Sequence, residues 1–164
     1  MTNPREIALD ELVEFEAIKT AKYRYIRGVD LRDWDLLASV LTEDATAAYE
    51  GGKMVFTGRN AIVDFLRGCM PPGKLLSAHR VHQPEIELTS PTTATARWAV
   101  DDTVIVPAAN YTMRGAAYYT DEMVKVDGQW KFHWTGYRRL YEETMTRDGL
   151  TLTKHWWTDE ETDA

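Results

Sequence analysis

An α+β fold, with helices packed on one face of an antiparallel sheet, is what this 164-residue sequence predicts. Three observations lead there. Up to about Cys69 the apolar residues recur mostly at helical spacings of three and four. After "MPPGK" the chain changes to long strand-like runs, and the last two are joined by Asp127-Gly128, a tight-hairpin dipeptide. Helices first and a meander of strands afterwards is the order of an α+β protein. A sheet curled around a long N-terminal helix leaves a cone with an apolar interior, and hence a pocket.

The elements follow in order. A helix spans about Leu9 to Val29, with Phe15, Ile18, Ala21, Tyr25 and Val29 on one face and Gly28 marking a frayed end. "DWDLLASVL" is a second helix, capped by Asp33, with Trp34, Leu37, Ala38 and Leu41 as its stripe. "ATAAYEGGKMVF" reads as a hairpin turning at Gly51-Gly52. "NAIVDFLRGC" is a third helix, with Asn60 as its cap and Ile62, Phe65 and Leu66 facing inward. The strands are "SAHRVHQPEIELTS", "TATARWAVDDTVIV", "AAYYTDEMVKV" and "QWKFHWTGYRRLY". From Glu142 the chain turns polar and Thr-rich, and from about residue 153 it reads as a tail in which "HWW" is an isolated aromatic cluster.

Neither repeats nor linkers interrupt the chain, so residues 1–164 are expected to form one domain. With 19 basic against 26 acidic residues the net charge is −7, which argues against nucleic acid or an anionic membrane surface as main partner. The single cysteine, Cys69, forms no internal disulfide and is expected to pack near a helix end. The N-terminal stretch is acidic and lacks the basic start and apolar run of a signal peptide, and no stretch approaches a membrane span. The expected address is the cytoplasm.

The chemistry starts from one misplaced residue. Taking alternate positions of "TATARWAVDDTVIV" gives Ala94, Ala96, Trp98, Val100, Asp102, Val104 and Val106, an inward face with a carboxylate in its middle. Burying a bare carboxylate costs several kcal/mol or raises its pKa. Asp102 therefore turns to solvent at a bulge, pairs with an arginine, or orients an imidazole; Asp101 beside it faces outward. His79 and His82, three apart on the preceding strand, face opposite sides, so one of them reaches the pocket. An imidazole oriented by a carboxylate keeps one nitrogen free as a base. His133 and His155 read as structural or exposed. Tyr25 lies on the inward helix face, and its hydroxyl needs a partner when buried. Asp30 sits unfavourably against the helix dipole at the same helix's end, which suggests another reason for it. Of the adjacent Arg138 and Arg139, one enters the cavity to hold an anion or a carboxylate. No metal-ligand spacing, Gly-rich nucleotide loop or nucleophile elbow is present, leaving general acid–base chemistry without a cofactor.

These residues sit in segments that resemble a known family. "EAIKTAKYRYIRGVD", "YEGGKMVF", "HQPEIEL", "TTATARWAVDD", "AAYYTD" and "TGYRRLYEETMTRD", covering roughly Glu16 to Leu152, are similar to the SnoaL-like branch of the nuclear transport factor 2-like fold. That branch includes scytalone dehydratase, ketosteroid isomerase and limonene epoxide hydrolase. Within it the chain most resembles the bile acid 7α-dehydratases of gut bacteria.

The resemblance implies a cystatin-like, SnoaL-like cone of curved mixed or antiparallel sheet wrapped around N-terminal helices. It implies a cofactor-independent hydro-lyase with Tyr25, Asp30, His79 and Asp102 as catalytic residues and Arg139 in support, and it selects His79 over His82. The activity implied is loss of water from a 7α-hydroxy-3-oxo-Δ4 steroid. In that assignment His79 is the base, Asp102 orients it, Tyr25 binds the 3-oxo group, and Asp30 tunes Tyr25 or helps protonate the leaving hydroxyl. The partner implied is a small hydrophobic steroid-like substrate, free or as a coenzyme A thioester, and the assembly a homo-oligomer, a trimer being favoured. "PAANYTMRG" is shorter than the family's equivalent loop, which bears on the far end of the substrate. Rival readings are a scytalone-like dehydratase, a steroid or polyketide isomerase or cyclase, and a non-catalytic binding or scaffold protein.

Overall fold

The computed structural model describes residues 9–155. The first helix, α1 (Leu9–Leu31), buries Ile18, Ala21, Tyr25 and Val29 as the periodicity requires, together with Lys22 and Ile26. It does not fray at Gly28. That glycine is buried against α2 (Trp34–Ser39): a Cβ there would stand 2.9 Å from the Leu37 backbone nitrogen and 3.1 Å from the Asp33 carbonyl oxygen. Close approach of two helices is therefore the reason for this glycine. Asp33 caps α2, accepting a hydrogen bond from the Leu36 N–H at 2.9 Å. Leu41, expected on the α2 stripe, instead opens β1 (Leu41–Tyr49).

A turn carrying Glu50, Gly51 and Gly52 at positive φ reverses the chain into β2 (Met54–Thr57). The next helix, α3 (Arg59–Cys69), begins two residues earlier than expected, so Asn60 lies inside it and Gly58, which has no capping side chain, precedes it. Ile62 and Val63 are its buried residues, with Phe65 and Leu66 packed on the core; Cys69 ends the helix exposed rather than packed. Four long strands follow: β3 (Leu76–Ser90), β4 (Thr93–Val106), β5 (Tyr111–Val126) and β6 (Gln129–Thr146). The last two exceed expectation, because "YTM" and "EETMT" pair with each other although their composition is polar. Trp156 and Trp157 lie outside the described residues.

The strands form one curved, unclosed sheet in the order β2-β1-β6-β5-β4-β3, antiparallel except for the parallel β1–β6 pair. Its concave face holds α1, and the core lies between them. Two irregularities keep side chains on the right face. In β3 the register shifts between His82 and Glu85, where Gln83 adopts a positive φ of 47°, so His79 and Val81 point inward before the bulge and Ile86 and Leu88 after it. In β6 a shift beside His133 moves the inward set from Trp130 and Phe132 to Thr135, Tyr137 and Arg139. Among the described residues no helix is long and apolar enough to cross a membrane.

Candidate active site

Between α1, α3 and the concave sheet face lies a cavity of about 240 Å³ whose lining includes Tyr25, Tyr49, His79, Asp102, Tyr119 and Arg139. Phe65, Leu66, Met70 and Leu75 make its wall apolar, and the exposed Cys69 stands where it nears the surface. The same polar side chains bound an adjoining space of about 50 Å³. A larger hollow of about 650 Å³, lined by Glu85, Arg97, Tyr118, Trp134 and Arg138 among others, contains no histidine–carboxylate pair.

The imidazole of His79 is held by Asp30, not by Asp102. Its Nδ1 lies 2.6 Å from Asp30 Oδ1, while the His79 backbone N–H donates to Asp30 Oδ2 at 2.8 Å and the Ser77 hydroxyl to Oδ1 at 2.7 Å. A carboxylate has only acceptors to offer, so Nδ1 carries the proton and Nε2 presents its lone pair to the cavity. Burial pushes the Asp30 carboxyl up, but the hydrogen bonds from His79 and Ser77 outweigh it and hold the group below its ordinary value. These contacts also account for an acid at the C-terminal end of α1, where the macrodipole alone disfavours it. Arg32, just beyond the helix, donates to the carbonyls of Met70 and Leu75, fixing the segment that leads into β3.

Asp102, 5% exposed, is clamped by Arg139 through two hydrogen bonds, Nη1 to Oδ1 at 2.5 Å and Nη2 to Oδ2 at 2.7 Å. Its Oδ2 is 4.0 Å from His79 Nε2, too far for a hydrogen bond. The misplaced carboxylate is thus explained by the arginine, and the orienting role expected of Asp102 belongs to Asp30. Burial works against the Arg139 charge, but the contacts with Asp102 secure it. Gly115 on the neighbouring strand makes the room: a Cβ there would lie 2.6 Å from Arg139 Nη1 and 3.2 Å from Asp102 Oδ1.

Opposite the histidine, the hydroxyls of Tyr25 and Tyr49 are 2.7 Å apart and buried. Burial raises both phenols, Tyr25 well above its ordinary range, so each stays protonated and serves as a hydrogen-bond donor. Among the described residues Asp30 directs its hydrogen bonds to His79 and Ser77 and makes none to Tyr25. His82 is on the outer face near the exposed Asp101, at 3.4 Å, and His133 is exposed. Among the described residues no group of three or more His, Cys, Asp or Glu side chains is placed to hold a metal ion.

Sequence reasoning missed Tyr49, Tyr119 and Tyr137, and the buried pair Lys22–Asp121. Strand parity was the available signal. Tyr49 continues Ala45 and Ala47 on the inward face of β1, and Asp121 interrupts the inward run Ala117, Tyr119 and Met123 just as Asp102 interrupts its own.

A histidine–carboxylate pair at one wall and buried phenols at another thus line an apolar cavity in an α+β cone. The chain belongs to the SnoaL-like domain family, whose model matches residues 10–136. A protein provisionally named as a scytalone dehydratase, from Novosphingobium aromaticivorans DSM 12444, is 28% identical, with a TM-score of 0.75 over 81% of this chain and 88% of that one. The hexachlorocyclohexane dehydrochlorinase LinA-type3 from Novosphingobium barchaimii LL02 shares the fold at 24% identity, with a TM-score of 0.77 over 90% of this chain and 99% of that one. ActVI-ORFA from Streptomyces coelicolor shares it at 15% identity, with a TM-score of 0.66 over 77% and 96%.

Proposed function

We propose that this protein is a cofactor-independent dehydratase that eliminates water from a cyclic hydroxyketone, a 7α-hydroxy-3-oxo-Δ4 steroid being the substrate favoured by the sequence resemblance. The observation that carries the reading is the Asp30–His79 pair, which leaves Nε2 as a free base inside an apolar cavity that also holds the Tyr25–Tyr49 hydroxyls. In such a steroid the C6 proton is acidified through the conjugated enone. His79 Nε2 takes that proton, and the C–H electron pair moves into a dienolate whose oxygen accepts a hydrogen bond from Tyr25. The Tyr25 and Tyr49 hydroxyls share one hydrogen bond; with Tyr49 as its donor, the Tyr25 proton is free for the substrate oxygen and Tyr25 is strengthened as a donor. The dienolate then expels the C7 oxygen, which the His79 imidazolium protonates. Water and the 4,6-diene leave, and the histidine is neutral again. Asp30 stabilises the transient imidazolium through Nδ1. Asp102, paired with Arg139, keeps the other side of the ring polar.

The cavity volume favours a second reading beside the first. About 240 Å³ falls below the roughly 300–1,000 Å³ of pockets that enclose drug-sized ligands. A steroid would place its two reacting rings inside and the rest, with any side chain or thioester, past Cys69 and Met70. A bicyclic hydroxyketone of the kind a scytalone dehydratase takes would fit whole. Incubation with 7α-hydroxy-3-oxo-4-ene steroids and with bicyclic hydroxyketones, followed by the longer-wavelength absorbance of the new conjugated system, separates the two. Faster turnover of the bicyclic compounds displaces the steroid, and no water loss from either overturns the dehydratase reading.

A further inference from the structure

Tyr119 lines both the main cavity and its annex, 7% exposed, beside His79, Asp102 and Arg139. Among the described residues its hydroxyl has no hydrogen-bond partner. A buried phenol facing a cavity without a protein partner is a donor held in reserve for a ligand.

What lies behind its ring is equally unusual. Lys22 projects from α1 into the core, wholly buried, and its ammonium stands 3.7 Å from the centre of the Tyr119 ring. The rings of Tyr25 and Phe132 are 5.2 and 5.3 Å away. Its counter-ion is Asp121, also wholly buried, at 2.9 Å, and that carboxylate further accepts the Thr135 hydroxyl at 2.6 Å. Burial works against the ammonium and Asp121 works for it. Such a pair is a poor source of stability, because the desolvation of two charges consumes most of their attraction. A cation against the face of a phenol does have a chemical effect. It fixes the ring and draws electron density from it, making the hydroxyl a stronger hydrogen-bond donor.

We infer that Tyr119 is a second catalytic donor to the oxygen that gains charge in the substrate, and that the Lys22–Asp121 pair is the positioning element that orients and polarises it. The inference deepens the dehydratase reading and rests on it for the identity of the reaction, though not for the existence of the donor site. Tyr25 and Tyr119 then form a two-donor cradle, their ring centres 6.4 Å apart. Only Tyr25 shares its hydroxyl with another residue.

The test uses the full chain in four forms: wild type, Tyr119→Phe, the neutralised pair Lys22→Met with Asp121→Asn, and the combination of all three changes. Folding is checked by circular dichroism and thermal melting. On the 7α-hydroxy-3-oxo-4-ene steroid, Tyr119→Phe should lower kcat about 10²-fold with little change in KM, as loss of an oxyanion donor does. The neutralised pair should lower kcat about tenfold in the wild-type background and by less than about twofold when Tyr119 is already Phe, since residues acting through one another are not additive. A merely structural pair would cost the same in both backgrounds, which would overturn the role of Lys22.

A second readout needs no turnover. At pH 8, 4-nitrophenolate is a planar oxyanion and nitrobenzene its uncharged analogue. Tyr119→Phe should weaken phenolate binding about tenfold and leave nitrobenzene within about twofold, the phenolic donor being a charge-assisted hydrogen bond. If neither the steroid nor a bicyclic hydroxyketone loses water but this selective loss is seen, the dehydratase reading falls and the donor site stands. If the steroid turns over but Tyr119→Phe keeps wild-type kcat, or if the wild-type chain binds neither probe, the inference is overturned.

Discussion

Among the described residues Asp30 is the acceptor for the proton on His79 Nδ1, and that fixes the order of effects expected on substitution. His79→Ala should lower kcat/KM on a confirmed substrate by about 10²–10⁴-fold, the usual contribution of a general base. Asp30→Asn removes the charge and turns one of the two acceptor oxygens into an NH2 that faces either the His79 Nδ1 or its backbone N–H, and should be nearly as damaging. The double variant should be little worse than His79→Ala alone, because the two act as a unit; additive losses would show that they do not. Asp102→Asn should behave differently. It leaves the half-buried Arg139 guanidinium without its bidentate partner, so its first effect is on stability, of order 3–5 kcal/mol where a buried pair is broken. Gly115→Ala tests the same pair without touching a charge. Its methyl would meet Arg139 Nη1 and the Tyr141 carbonyl, so a loss of about 1–3 kcal/mol in denaturant unfolding is expected, with activity falling alongside.

At the level of elements, the change from helices to long strands, the stripe of α1, the unbroken alternation of β4 and the Asp127-Gly128 turn were all legible, because each is a local pattern, of period 3.6 or 2 or of a turn dipeptide. Register shifts were not legible. The bulge at Gln83 depends on pairing with β4, which no stretch of β3 announces on its own. Partner choice was lost for the same reason: parity could place Asp102 on an inward face, but which of Arg139 and His79 it would meet is settled by strand order across β4, β5 and β6. The histidine–Asp30 contact spans a helix end and an edge strand, again beyond local pattern. Gly28 was misread because a glycine near a helix end signals both termination and close packing. Gly28→Ala separates these meanings. If the glycine only frayed the helix end, alanine would stabilise by up to about 1 kcal/mol. Since a Cβ would press on the Leu37 backbone, the expected outcome is a lowered melting temperature, with α1 and α2 driven apart.

Across the whole molecule, the end of α1 is tied to β3, the edge strand of an open sheet, by the hydrogen bonds that converge on Asp30. One carboxylate thus both orients the His79 imidazole and fastens the helix to one rim of the sheet, so stability and the proposed catalytic role share a group. Its pKa gives the dependence a sign. Folding holds the Asp30 carboxyl below its ordinary value, so the folded chain binds this proton less readily than the unfolded one. The stabilisation is therefore fully present above the ordinary carboxylate pKa of about 4 and is lost as pH falls through the still lower folded value. Wild type and Asp30→Asn should differ by about 1.5–3 kcal/mol in urea unfolding at pH 7, the range for hydrogen bonds to a charged group. As the pH drops below about 4 the two stability curves should converge. A gap that stays constant down to pH 2 would mean that the amide's shape, and not the lost charge, is what the variant costs; a gap that widens in acid would contradict a lowered pKa for Asp30 altogether.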